Sequence, residues 1–160
     1  MRVHEIAEKY PQVQMVSSDY RKYSIYSKRF KKIIARYSNQ IESGGIDECY
    51  AILELDSSNG SIREYLQQIQ AVLELELGMT FSIGSAATKA LAKLASGMNK
   101  PSGITILEKE TLLDQIGSLP LARVSGIGWQ SEPKMNALGL YTIADFICKS
   151  PEWILSLIHI

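Results

Sequence analysis

Asp47 and Glu48 are the residues of this chain best suited to chemistry. The two adjacent carboxylates follow the Gly44-Gly45 break and precede the apolar run Cys49 to Leu55. Charges at the mouth of a buried strand are costly unless they are solvated or paired with cations. Hard oxygen ligands of this kind suit Mg²⁺, which takes one or two protein carboxylates and fills its shell with water and substrate phosphates. Two such ions about 4 Å apart can activate an attacking hydroxyl and stabilise a leaving phosphate oxygen. A solvated, purely structural pair is the competing reading, and the pair alone does not decide between them.

Two further constellations carry positive charge or backbone donors. Lys89 and Lys93 lie one helical turn apart in an Ala-rich stretch whose small side chains permit close approach, and Lys100 sits in Asn99-Lys100-Pro101-Ser102-Gly103. A proline-fixed turn could aim that ammonium at a phosphate; three lysines on a solvated surface would look the same. Val124-Ser125-Gly126-Ile127-Gly128 lies between two short helical patterns. In a helix-hairpin-helix such glycines let main-chain N–H groups converge on one phosphate oxygen. Contacts of that kind hold DNA without reading its sequence. A lone Gly-Ile-Gly serves equally well as a helix cap. The flanking Leu119-Pro120 and Ala137 to Ile143 strengthen the hairpin reading.

The elements that must position these residues follow from periodicity. Tyr23, Tyr26, Phe30, Ile33, Ile34, Tyr37 and Ile41 recur at spacings of three and four and predict a helix over 20–41, capped by Ser18 and Asp19. Seven Lys or Arg residues and no acid lie between Arg21 and Arg36, with Lys22, Arg29 and Arg36 spaced seven apart. That stripe is either a solvated face or a DNA-backbone surface. Cys49 to Leu55 predicts a strand, and Ser57-Ser58-Asn59-Gly60 a break. Ile62, Leu66, Ile69, Leu73 and Leu77 predict a helix ended by Gly78. Thr80 to Ile83 predicts a strand, Ala86 to Ser96 a helix stopped by Gly97, and Gly103 to Leu107 a strand; Gln12 to Ser17 is a further candidate strand. Such an order suggests helices packed on a sheet. After Leu107 the texture changes to short helical segments, Glu108 to Ile116, Leu119 to Val124, Gln130 to Leu138 and Thr142 to Ile147, so a boundary is expected near residue 107.

Composition narrows the class. In 160 residues, 46% hydrophobic and 21% charged content is ordinary for a globular protein and argues against disorder. Seventeen basic residues balance seventeen acidic ones, so only the distribution of charge points to nucleic acid. No apolar run approaches the ~20 residues needed to span a bilayer, and no membrane partner is expected. Cys49 and Cys148 match no metal-ligand spacing, which suits free thiols in a reducing cytoplasm.

Taken in order, these stretches resemble the Y-family, or lesion-bypass, DNA polymerases. Gly45-Ile46-Asp47-Glu48-Cys49-Tyr50 looks like the family's palm motif, usually Ser-Ile-Asp-Glu-Ala followed by Tyr or Phe. Ser82 to Ser96 is similar to its S-x-G-I-A-x-N-K-x-L-A-K-x-A-S block, and Lys100-Pro101-Ser102-Gly103 to the K-P-x-G that closes it. Ser125-Gly126-Ile127-Gly128 resembles the P-G-I-G of the thumb hairpin. The resemblance covers about residues 1 to 154. Ile52 stands where the family often has a second Asp, and Gly45 where it often has Ser.

The resemblance implies an α+β fold: a partial polymerase palm with a ferredoxin-like sheet over 1–107, including the end of the fingers, then an all-helical thumb with a helix-hairpin-helix over 108–154. It implies a piece of a DNA-directed DNA polymerase that performs translesion synthesis by two-metal nucleotidyl transfer. Asp47 and Glu48 would bind Mg²⁺, two ions in the complete enzyme, with Glu48 beside the primer 3′ end. Lys100 would meet the incoming triphosphate. Lys89, Lys93, Ser125, Gly126, Ile127 and Gly128 would contact DNA. The expected partners are primer-template DNA, deoxynucleoside triphosphates and, through a C-terminal part, a sliding clamp. Met1 resembles an internal position of the family, and 155–160 reads like a foreign tail translated from a library adaptor. Lacking the family's first metal-binding Asp, the isolated chain is expected to be inactive. A non-enzymatic DNA-binding module using only the hairpin is the alternative, although acids near a phosphate backbone would not help it.

Overall fold

A computed structural model describes residues 2–55 and 60–158, the last three of these by their backbone alone. The expected break at Ser57-Ser58-Asn59 and the last two residues of the tail lie outside that range. A short helix α1 (Val3–Lys9) leads through a turn, in which the Val13 N–H is donated to the Tyr10 carbonyl, into a segment without regular secondary structure. Gln12 to Ser17 therefore forms no strand: Val13, Met15 and Val16 are exposed, and no ladder among the described residues includes them.

Helix α2 (Tyr20–Ile34) starts where the sequence indicates, Asp19 accepting the Lys22 N–H at 3.1 Å. It ends seven residues early. The Ser38 hydroxyl accepts the Gln40 N–H and donates to the Ile52 carbonyl at 2.7 Å, local bonding that competes with helix continuation. Ile41, in phase with the helical stripe, belongs instead to strand β1 (Ile41–Ser43), antiparallel to β2 (Cys49–Ala51) with Ser43 opposite Cys49. Regular strand structure ends at Ala51, short of Leu55.

Helix α3 (Ile62–Leu77) is the support for the first core. Ser61 and Glu64 form a reciprocal capping box at its start, and Gly78 (φ 65°) closes its end in the left-handed region glycine tolerates best. Leu66, Ile69, Leu73 and Leu77 are all buried, and the last three pack with Ile33 of α2. Each such side chain contributes about 1.5–3 kcal/mol by leaving water. The Phe30 and Phe81 rings stack beside them at 5.4 Å.

Strand β3 (Ile83–Ser85), helix α4 (Lys89–Met98) and strand β4 (Ile104–Ile106) make a parallel βαβ unit, Ile83 opposite Ile104. The strand predicted at Thr80 starts three residues later. Phe81 donates its N–H to Glu74 and its carbonyl accepts from the Gln70 amide, so side chains of α3 take the bonds a ladder would use. Helix α4 begins at Lys89 rather than Ala86, because Thr88 caps it by accepting the Leu91 N–H. It runs through Gly97, whose cost of about 1 kcal/mol relative to Ala does not end a helix anchored by buried Leu94 and Ala95.

The mixed helix-and-sheet architecture holds, with one difference. The sheet consists of two separate two-stranded pieces among the described residues, β1-β2 and β3-β4. A cleft of roughly 1570 Å³ is lined by residues of both and floored by Leu66, Ile69 and Leu73.

The remainder is helical: α5 (Leu112–Ile116), a 3₁₀ turn (Leu121–Arg123), α6 (Glu132–Ala137), α7 (Ile143–Ile147) and α8 (Pro151–Ile158). The second core crosses residue 107, since Leu94 and Ala95 cluster with Leu107, Ile116, Leu121, Leu140 and Ile143. Thr142 and Asp145 cap α7 reciprocally, and the hydrogen bonds from Thr142 and Tyr141 hold the Asp145 carboxyl below the usual aspartate range. A depressed carboxylate pKa stabilises the fold above its unfolded value of about 3.9 and stops doing so as pH falls through the folded value. Asp145→Asn is expected to lower the melting temperature by a few degrees at pH 7, with the difference from wild type shrinking as pH falls below the usual aspartate range. Calorimetry across that range checks it.

Candidate nucleotidyl-transfer site

The turn between β1 and β2 carries the carboxylates. Gly44 and Gly45 both donate their N–H groups to the Glu48 carbonyl, at 3.1 and 3.2 Å, and this closes Gly44 to Glu48 into a compact loop. Asp47 is exposed at its tip and Glu48 half-buried at the start of β2. A close approach explains the first glycine: a Cβ on Gly44 would sit 3.1 Å from the Tyr50 ring and 3.3 Å from Glu48 Cβ.

Lys31 of α2 anchors this loop, a role with no signature in the sequence. Its ammonium donates to Ser43 Oγ at 2.7 Å and to the Gly45 carbonyl at 2.8 Å. Lys31→Met removes both hydrogen bonds and is expected to speed amide exchange at Gly44 to Asp47 by roughly fivefold or more, the effect of about 1 kcal/mol of lost local bonding; exchange measured by NMR checks it. Three other basic residues between Arg21 and Arg36 also have partners within the chain. Arg36 forms a two-pronged pair with Glu76, one bond at 3.0 Å, Lys22 pairs with Asp19 at 3.7 Å, and the Arg29 guanidinium lies 5.9 Å from the Tyr26 ring centroid. The stripe Lys22, Arg29, Arg36 thus works in part as internal adhesive. Burial pushes the Cys49 thiol up, against a smaller opposing pull from Lys31, which keeps it protonated at neutral pH.

Across the cleft, α4 presents its lysines to the hairpin. Lys89 Nζ reaches both Glu42 oxygens at 2.9 and 2.8 Å, and Lys93 Nζ both Glu48 oxygens at 2.7 and 2.6 Å. The hydrogen bond to Glu48, with the charges of Glu48, Tyr50 and Asp47 behind it, raises the Lys93 pKa against the opposing effect of burial. Lys100 is exposed on the same cleft. Its loop is tied down by Ser102 Oγ donating to Glu74 at 2.9 Å and by the Asn99 amide donating to Thr105 Oγ1 at 2.8 Å. Asp47, Glu48, Lys89, Lys93 and Lys100, from three separate segments, therefore border one opening.

Among the described residues no set of three His, Cys, Asp or Glu side chains converges on a metal position. Asp47 and Glu48 nevertheless fit a hard divalent ion. Both are carboxylates at a solvent-reachable edge, and Glu48 already binds a cation, the Lys93 ammonium, through both oxygens. Two carboxylates completed by water and phosphate oxygens are a usual Mg²⁺ environment.

Ser125 to Gly128 lie far along the chain in the turn between the 3₁₀ element and α6. Ser125, Gly126 and Gly128 are exposed, and a Cβ on either glycine would meet nothing within 4 Å. Gly126 has φ 99°, a conformation L-residues rarely adopt. Ile127 differs: its side chain packs on the second core and its N–H is donated to the Val124 carbonyl at 3.0 Å. The amides open to a ligand are those flanking it.

Comparison with known proteins sets this geometry in context. Residues 1–97 match the model of the impB/mucB/samB family. The chain is 35% identical over 146 residues to DNA polymerase IV of Lactococcus lactis subsp. cremoris (strain MG1363), covering 91% of this chain and 40% of that protein. It is 39% identical over 137 residues to DNA polymerase IV of Bacillus velezensis (strain DSM 23117 / BGSC 10A6 / LMG 26770 / FZB42), covering 84% of this chain and 33% of the relative. The chain thus spans well under half the length of these relatives. Among solved structures, its fold matches a DinB family error-prone DNA polymerase from Sulfolobus solfataricus with a TM-score of 0.82 at 23% identity, over 94% of this chain and 46% of that one. It also matches the insertion ternary complex of Dbh DNA polymerase with a TM-score of 0.81 at 23% identity, over 96% of this chain and 45% of that one.

Proposed function

The chain belongs to the impB/mucB/samB family of Y-family DNA polymerases, and from that premise we propose that it supplies part of the catalytic palm, together with thumb, of an enzyme that extends a primer on a DNA template past lesions. The observation that carries the proposal is the convergence of two carboxylates and three lysines on one cleft. Residues 1–107 are the palm portion and 108–154 the thumb in this reading, with a shared core fixing one to the other.

Asp47 and Glu48 would hold Mg²⁺, which when bound neutralises phosphate charge and lowers the pKa of a coordinated hydroxyl. The chain's own residues then do the positioning. Lys31 holds the carboxylate loop in shape. Lys100, fixed by its tethered loop, places a positive charge where the triphosphate of an incoming nucleotide would enter. Phosphoryl transfer depends mainly on such positioning and charge stabilisation. The exposed Gly126 and Gly128 N–H groups would donate to a backbone phosphate of the duplex, a contact indifferent to base sequence.

The test is primer extension by the full-length product of the reading frame that encodes this chain. Extension that requires template and divalent cation supports the reading. A folded product that binds primer-template but never extends it overturns the catalytic part and leaves a DNA-binding protein.

A further inference from the structure

Lys93 grips both oxygens of Glu48, and Lys89 both oxygens of Glu42, from adjacent turns of one helix face. These pairs join α4 to a hairpin whose strands form no ladder with β3 or β4. The Lys93 pair is the more enclosed, its side chains 36% and 43% exposed against 60% and 63% for Lys89 and Glu42. We propose that Lys93 is a built-in placeholder cation, occupying the Glu48 carboxylate until a divalent ion displaces it.

This inference rests on the reading of Glu48 as a metal ligand. The geometry supports exchange rather than a fixed tie for two reasons. A two-oxygen grip leaves Glu48 little acceptor capacity toward a second cation from the same side. The pair is also reached by water, and exposed or half-exposed ion pairs are weak enough, at about 0.2–1 kcal/mol, for a divalent ion to displace. Until that happens, the lysine neutralises the charge and holds the carboxylate in one orientation. Lys93 is in this sense a positioning residue that competes with the ion it prepares for.

The experiment is a titration of the ¹⁵N-labelled chain with Mn²⁺, reading paramagnetic broadening of the Asp47, Glu48 and Cys49 amide signals. Lys93→Met is expected to reach half-broadening at a Mn²⁺ concentration about two- to fivefold lower than wild type, the equivalent of an exposed pair. Lys93→Gln is read in the same way, and unchanged amide shifts elsewhere establish that each variant is folded. Lys93→Arg, still cationic, should stay close to wild type. In a Glu48→Gln background the change at position 93 should make no difference, whereas a general loss of positive field acting on Asp47 would persist there.

Equal or weaker Mn²⁺ binding in both neutral variants, with broadening still confined to the loop, overturns the placeholder and leaves the metal site standing. A persisting gain in Glu48→Gln also overturns it. No selective broadening in wild type or variants overturns the metal reading itself, and the inference with it.

Discussion

Asp47→Ala, introduced into the full-length product, is expected to reduce template-directed nucleotide incorporation about a thousandfold, or roughly 4 kcal/mol of transition-state stabilisation. The size follows from what the residue would do. A carboxylate that fixes a divalent ion against a transferring phosphate supplies several kcal/mol of charge stabilisation, and no neighbour can replace it. Glu42 is paired with Lys89, and Glu48 would itself already be the other ligand of the site. The loss should fall on kcat rather than on DNA affinity, because phosphate contacts made elsewhere are untouched. Folding should be unaffected, since Asp47 is exposed at the tip of a loop and surface substitutions away from packed features usually stay within about 0.5 kcal/mol. Single-turnover kinetics alongside a melting curve separates the two effects. Activity within tenfold of wild type would remove Asp47 from the metal site.

Gly84→Ala is expected to cost about 3 kcal/mol or more of stability, enough to unfold a marginal domain. A Cβ on Gly84 of β3 would lie 2.1 Å from the Ala92 carbonyl oxygen and 2.4 Å from the Ser96 nitrogen. Both are backbone atoms of α4, four residues apart, so the methyl would intrude on the helix ladder itself. No side-chain rotation relieves that contact; α4 would have to move away from β3, carrying Lys89 and Lys93 with it. Gly97 gives the contrast. It lies inside α4 with nothing within 4 Å of an added Cβ, and Gly97→Ala is expected to stabilise by up to about 1 kcal/mol. Urea unfolding of the two variants should shift the midpoint in opposite directions. A Gly84→Ala midpoint within error of wild type would mean that the β3–α4 spacing has slack the close packing denies.

How much of this was legible beforehand depended on the range of the interaction. Helix α3 was readable almost to the residue, because the apolar spacing and the terminating Gly78 are local devices that act within a turn or two. The start of α2 was legible for the same reason. Its end was not: Ile41 keeps the helical period yet pairs with Ala51 in a strand, and periodicity cannot tell a helix face from a strand partner ten residues away. The displaced start of β3 has a similar origin, since Gln70 and Glu74 of α3 take the Phe81 backbone groups.

The site divides along the same line. Asp47-Glu48, the lysine block and Ser125-Gly126-Ile127-Gly128 are short contiguous patterns, so the family and the residues worth testing could be read in one dimension. What those residues do to one another depended on the packing of distant segments. That packing set Lys93 on Glu48 across 45 residues of chain and Lys89 on Glu42 across 47, turned Lys31 into the anchor of the carboxylate loop, and committed the Ile127 amide to Val124. Charge on a helix face is visible in one dimension. Its partner is chosen only when separate segments pack against a common core, because an ion pair acts through distance in space and carries no trace of distance along the chain.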